Sequence, residues 1–310
     1  FYDNETVGDI VGVSASATSG FGSALANLGK ISNTGIELLL KVKPVVTDDF
    51  AMEVSFNYTN NDSQVVATND TDGNISLDEP RERTLRVTHI VGEQYGALYG
   101  TYFNRDDQGR IIHEMSQGYP RPSLNTSRKI LGFGVPPQQL GIGASFRYKD
   151  FNASFLVEGK AGGQIFSGTN VRLIGYGLHK MTVPAGGRES GFVPDGVLED
   201  GTPVTQSLDY SQQQSYWGRY NDVAEAGIRD SDYFRMRQMA IGYTFPSSML
   251  EGTFIEAASV SLIGKNLFFI TNDVENVDPE SAYNNSNSAG LEFAGMPVPR
   301  TIGLNVNLKF

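Results

Sequence analysis

From Val298 to Phe310 the chain alternates. Val298, Ile302, Leu304, Val306, Leu308 and Phe310 share one parity, and Thr301, Gly303, Asn305, Asn307 and Lys309 share the other. Side chains on a β-strand point to opposite faces at period two, so the segment predicts a strand with one apolar and one polar face. Such an apolar face has to be covered, either by a protein core or by lipid.

The same pattern recurs. Residues 35–46 set Ile36, Leu38, Leu40, Val42 and Val46 against Glu37, Lys41 and Lys43. Residues 50–59 set Phe50, Met52, Val54, Phe56 and Tyr58 against Glu53, Ser55 and Asn57. Residues 139–149 set Leu140, Ile142, Ala144, Phe146 and Tyr148 against Ser145, Arg147 and Lys149, and residues 151–160 set Phe151, Ala153, Phe155 and Val157 against Asn152, Ser154, Glu158 and Lys160. In residues 232–245, Met239, Ile241, Tyr243 and Phe245 form a face that Arg235 and Arg237 share by parity, so either a bulge shifts the register or the arginines lie above a lipid band. Residues 254–266 place Val260 and Leu262 together.

Connections between these segments alternate in length. Thr47-Asp48-Asp49, Lys149-Asp150 and the stretch from Pro246 to Gly252 are short; the regions of about 61–137, 162–231 and 267–297 are long. A β-sandwich also alternates. Three details favour a barrel: charged residues in the middle of the polar faces (Glu53, Arg147, Glu158), strands longer than the 5–6 residues usual in soluble sheets, and short and long connections segregated by rim. The expectation is an all-β chain, a transmembrane antiparallel β-barrel segment with long extracellular loops and Phe310 on the periplasmic rim.

Composition agrees. Hydrophobic residues make up 39% of the 310, and no apolar run approaches the roughly 18–20 residues of a spanning helix. Barrel strands need only about 9–11 alternating residues. A net charge of −11 argues against a nucleic-acid partner, since phosphate binding needs concentrated Lys and Arg. With no cysteine there is no disulfide and no thiol chemistry. The start at Phe1, already strand-like, reads as part of a longer polypeptide.

Several phrases carry a family resemblance. The run from Asn27 to Glu37 (NLGKISNTGIE) resembles the N-x-G-x-I-x-N-x-G-I-E passage of SusC/RagA-like TonB-dependent outer-membrane transporters. Val91 to Gly100 is similar to their VG-x-P-x-G-x-x-YG segment, with Gln94 where Pro is common, and Tyr148-Lys-Asp-Phe151 to their YKNF turn. Phe234 to Pro246 resembles their FLRLKNLTLGYTLP strand, and Gly264-Lys-Asn-Leu-Phe268 followed by Asp278-Pro-Glu280 their GxNLF…DPE. The resemblance spans the chain and corresponds to the carboxy-terminal part of such a barrel. It implies a 22-stranded barrel with an amino-terminal plug domain and TonB box, neither of which is within residues 1–310. It also implies a SusD-like surface lipoprotein as lid, and import of oligosaccharides or peptides. Phe310 would then serve as the assembly signal on the last strand. The alternative function is a secreted β-rich adhesin or carbohydrate-binding module.

Catalysis has little support. His89, His113 and His179 fall in separate loop-like stretches, where solvated single histidines are expected, and no nucleophile elbow is present. Asn104, Asp106 and Gln108, with Gly109, resemble the opening of an EF-hand loop and make calcium a possible cofactor, but Met115 stands where Glu closes such a loop, so a polar turn is the simpler reading. Tyr210, Tyr216, Trp217, Arg219 and Tyr220 supply flat rings and a guanidinium for stacking on a ligand or lid; the competing reading is packing within the loop. Asp278-Pro279-Glu280 is expected to fix a turn. Gly141, Gly143 and Gly303 are expected to relieve crowding on the lumen side against the plug that the resemblance implies.

Overall fold

The computed structural model describes residues 1–14, 20, 23–68, 73–78, 81, 84–281, 283 and 289–310. Eight strands form one antiparallel meander: Tyr2–Ser14, Ser23–Val46, Phe50–Ala67, Gln138–Tyr148, Phe151–Ala161, Tyr233–Phe245, Ala257–Asn272 and Thr301–Lys309. Tyr2–Ser14 adds a strand to the seven periodic segments. Its pairing with Ser23–Val46 runs from Tyr2↔Gly35 to Ser14↔Ser23.

Register lines up the apolar face across the sheet. One row reads Val42, Val54, Ala144, Phe155, Met239, Gly264, Ile302. The next reads Met52, Phe146, Ala153, Ile241, Leu262, Leu304, and the one nearest the short turns Phe50, Tyr148, Phe151, Tyr243, Val260, Val306. Many of these side chains are exposed; Ile302 and Leu304 are each 69% exposed. Contiguous apolar surface of this extent is a lipid or partner face, not the surface of a soluble monomer. The aromatic row at the short-turn end, where Phe151 and Tyr243 sit 4.8 Å apart, has the character of an interfacial girdle. The opposite face is polar: Glu53, Ser145 and Ser154 form one row, Asn57, Gly141 and Glu158 another.

Bulges adjust this pattern. At Lys43-Pro44 the pairing steps from Val42↔Val54 to Val45↔Met52, so Val45, not Val46, continues the apolar face. Proline has no N–H to give the ladder, which makes it suited to that break. Arg237 has no partner between Met236↔Val157 and Gln238↔Leu156. Asn266 and Leu267 bulge opposite it, Asn266 in the left-handed region at φ 52°. These last two shifts are in concert. They return Phe268 to the apolar side while turning Arg235 to the polar side. Of the two explanations open for the arginines, the bulge is the one realised.

The short connections lie where expected; the third carries a helical turn, Ser247–Leu250. The first and third long ones are shorter than the periodicity suggested, because Phe50–Ala67 and Ala257–Asn272 continue beyond residues 61 and 267. They are also ordered by strands and helices of their own. Ile75–Asp78, Leu85–His89, Ala97–Phe103 and Leu124–Phe133 make a four-stranded sheet. Gln164–Ser167 pairs with Ile228–Asp230 and, in parallel, with Leu291–Glu292 from the third connection. Leu77, Leu85, Val87, Leu98, Phe166, Val171, Ala224 and Leu291, drawn from all three connections, share one buried core. The long connections therefore pack as a single layer.

Candidate functional site at the junction of barrel wall and loop layer

The loop layer is fastened to the polar face by a charge network. Arg235 Nη2 donates to Asp278 Oδ2 at 2.5 Å, and its Nη1 donates to Glu280. Arg237 Nη2 donates to Glu280 Oε1 at 2.6 Å, its Nε to Glu158 Oε2 at 2.7 Å and its Nη1 to Asn266 Oδ1 at 2.8 Å. Tyr233 donates to Glu280 Oε1 at 2.9 Å. Arg235 is 3% exposed and lies 3.9 Å from the Phe269 ring centroid. A guanidinium fork matched to carboxylates is the geometry in which buried charge is tolerated. Burial alone would raise the Glu280 carboxyl, but hydrogen bonds from Arg237 and Tyr233 and the charge of both arginines hold it below its ordinary value. Asp278 also accepts from the backbone N–H of Glu280 and Val298, so the Asp-Pro-Glu turn is held from inside. It is a turn, as expected, but its side chains are the pin between loop and wall. The signal was present in the sequence: two arginines on an apolar parity, and two acids in a fixed turn downstream.

Beside this pin lies a cavity of about 460 Å³ between wall and loop layer, lined by Gln139, Lys160, Ser231, Tyr233 and Glu280 among others. Gln139, Lys160 and Tyr233 are cross-strand neighbours in one row of the polar face.

The aromatic group occupies a different place from that expected of a ligand platform. Tyr210–Gly218 is a helix with a capping box from Asp209 and Gln212. Tyr216, Trp217 and Tyr220 are 2%, 6% and 7% exposed and belong to a second loop core with Phe103, Ile174 and Leu208. Phe192 lies 5.1 Å from Trp217, and Tyr220 at the same separation. Their rings are spent on packing, since a short helix without a large protein core must bury its apolar face somewhere. Arg219 pairs with Glu114 at 3.0 Å. Only Tyr210, at 68% exposed, presents its ring to solvent.

The residues of the calcium-loop reading are engaged in hydrogen bonds within the turn and with neighbouring strands. Asp106 accepts from the backbone of Gln108 and Arg110 and pairs with the Arg110 side chain, its Oδ2 2.8 Å from Nε. Asn104 turns toward Ser123 and Asn125, and no group of three or more His, Cys, Asp or Glu is placed to hold a metal among the described residues. The histidines are buried, not solvated. His113 contacts the Tyr216 hydroxyl at 3.2 Å, His179 caps a 3-10 turn by accepting from Met181 N–H, and His89 lies against Tyr95. Burial pushes the His113 and His179 imidazoles below their ordinary value.

Gly141 and Gly143 make room for their cross-strand neighbours within the sheet, which is not the plug contact expected of them. A Cβ at Gly141 would lie 2.2 Å from Asn57 Oδ1, and one at Gly143 2.8 Å from Ser55 Oγ; at Gly303 it would meet open space. Phe310 stacks on Phe254 at 5.6 Å, at the short-connection rim.

Comparison with known proteins agrees with this architecture. No family model matches the chain. TonB-dependent receptor P3 of Formosa agariphila is 25% identical over 94% of this chain and 30% of its own length. TonB-dependent receptor SusC of Bacteroides thetaiotaomicron is 20% identical over 92% of this chain and 27% of its own. Among solved structures, the RagAB peptide importer in its closed-closed state superposes with a TM-score of 0.68 at 16% identity, over 99% of this chain and 33% of that one. The RagAB peptide transporter gives 0.65 at 15% identity, over 99% and 32%. The chain thus spans about a third of the length of the relatives it matches. Two-faced sheet, fold and sequence likeness together make the chain similar to the carboxy-terminal barrel part of SusC/RagA-like TonB-dependent receptors of the outer membrane.

Proposed function

We propose that this chain builds wall and mouth of an importer that carries oligosaccharides or peptides across the outer membrane. In this reading the long connections stand outside the cell, a SusD-like lipoprotein closes over them, and energy arrives from TonB through a region outside these residues. The observation that carries it is the combination of a lipid-type apolar face with a packed loop layer pinned to the opposite, polar face by Arg235, Arg237, Asp278 and Glu280. A pore wall needs the first, and a shaped mouth needs the second. Peptide import is supported by the likeness to the RagAB peptide importer. The adhesin or carbohydrate-binding alternative leaves the apolar rows of the sheet without a role. Nothing in this reading involves a catalytic step.

The test is uptake by cells carrying or lacking the full-length receptor. Fluorescent peptides and oligosaccharides should accumulate only with the receptor present and the proton gradient intact, and a surface lipoprotein should co-purify with it. Equal uptake by both strains for every ligand tried would overturn the reading.

A further inference from the structure

The cavity beside the pin has an uncommitted cation. Lys160 sits near the loop end of Phe151–Ala161, between Gln139 and Tyr233 across the sheet, and makes no ion pair among the described residues. Around it the other charges are spoken for: Glu280 is held by Arg235, Arg237 and Tyr233, and Glu158 by Arg237. A second observation lies at the same cavity. Ser231, which also lines it, is 7% exposed, and its hydroxyl has no hydrogen-bond partner among the described residues. A buried hydroxyl without a partner is costly and calls for one.

We infer that this cavity is a subsite for a carboxylate carried by the transported molecule, with Lys160 as the charged contact and Ser231 and Gln139 as neutral donors. The inference rests on the import reading above and deepens it by assigning a charge preference. The volume, about 460 Å³, accommodates one residue of a peptide or one sugar ring rather than a whole oligomer. The carboxylate has two sources, a peptide terminus or acidic side chain and a uronate unit of a glycan; both present the same planar acceptor pair to Lys160. Placement favours a selecting role. The row Thr59, Gln139, Lys160, Tyr233 lies on the polar face where wall meets loop layer.

The experiment measures binding and uptake by the full-length receptor of paired ligands. One pair is a hexapeptide with a free or an amidated carboxy-terminus; the other is an oligogalacturonide and its methyl ester. One acidic member should bind about tenfold tighter than its neutral counterpart, as expected of a charge-assisted hydrogen bond, and Lys160→Gln should remove that difference while leaving the neutral ligand unchanged. Lys160→Arg should retain it, which separates lost charge from lost folding. Preference within the peptide pair or within the uronate pair identifies the source. Equal affinities within both pairs, or a preference that survives Lys160→Gln, would overturn the subsite. Neutral ligands still imported in that case leave the import reading intact, whereas no uptake of any ligand would defeat that reading first.

Discussion

Arg235 on a barrel strand and Asp278 in the third long connection share a hydrogen bond of 2.5 Å in a place where both side chains are almost wholly buried. This pair joins the membrane part of the chain to the layer above it. Removing one partner would leave the other charge buried and uncompensated, which typically costs about 3–5 kcal/mol. Arg235→Leu should therefore release residues 273–300 from the wall. Hydrogen exchange and limited proteolysis should show that segment freed while the sheet stays protected. Unchanged protection of 273–300 would count against the pin.

The same pin has a pH dependence with a definite sign. The Glu280 carboxyl is depressed in the folded protein, burial being outweighed by the Arg237 and Tyr233 hydrogen bonds. A depressed carboxyl contributes stability that is fully present above its unfolded pKa, about 4.3, and is lost as pH falls through the lower folded value. Protease resistance of the loop layer should be flat between pH 7 and about pH 5 and should fall only in stronger acid. Glu280→Gln should flatten that acid limb. Loss of resistance near neutrality would point to the buried histidines instead.

Trp217 and Tyr210 sit on one helix and should respond in opposite ways. Trp217 is packed among Phe192, Tyr216 and Tyr220, so Trp217→Ala should destabilise the loop layer by about 3–5 kcal/mol. Tyr210 is exposed, and Tyr210→Ala should leave stability within about 0.5 kcal/mol. Thermal unfolding of the purified receptor in detergent, read together with proteolysis of the loop layer, separates the two. A soluble, stable Trp217→Ala loop layer would return the ring to the role of a ligand contact.

Strand alternation made the sheet legible, because one face meets lipid and the other water along every strand. Leu304, Leu262, Ile241 and Phe146 fall in one row because period-two parity survives pairing. Legibility stops where parity breaks. The break at Lys43-Pro44 moved Val46 off the apolar face, and the paired bulges at Arg237 and Asn266 turned the Arg235 side chain inward. A bulge is set by pairing with a second strand, which a single strand's pattern does not encode. The loop layer was illegible for a related reason. Its strands are 2–10 residues long, and its core joins Leu85, Phe166 and Leu291 across long stretches of sequence. The aromatic run at Tyr216, Trp217 and Tyr220 looked like a platform because helix packing and ligand stacking use the same residues. Only burial distinguishes them.

The apolar face of the sheet should be the one that meets lipid. A charge on the lipid face of a barrel costs about 2–4 kcal/mol near the midplane, and one on the lumen face costs little. Spin labels at Phe56, Phe146, Phe155, Leu304 and Val306 should be reached by lipid-dissolved oxygen, and labels at Glu53, Arg147, Glu158 and Asn305 by a water-soluble nickel reagent, in the full-length receptor reconstituted into bilayers. Phe155→Arg should accordingly impair folding where Ser154→Arg does not. Oxygen accessibility at the first set together with nickel accessibility at the second is the predicted result. The reverse assignment, or labels at Phe146 and Phe155 shielded from both reagents, would contradict the lipid-facing sheet.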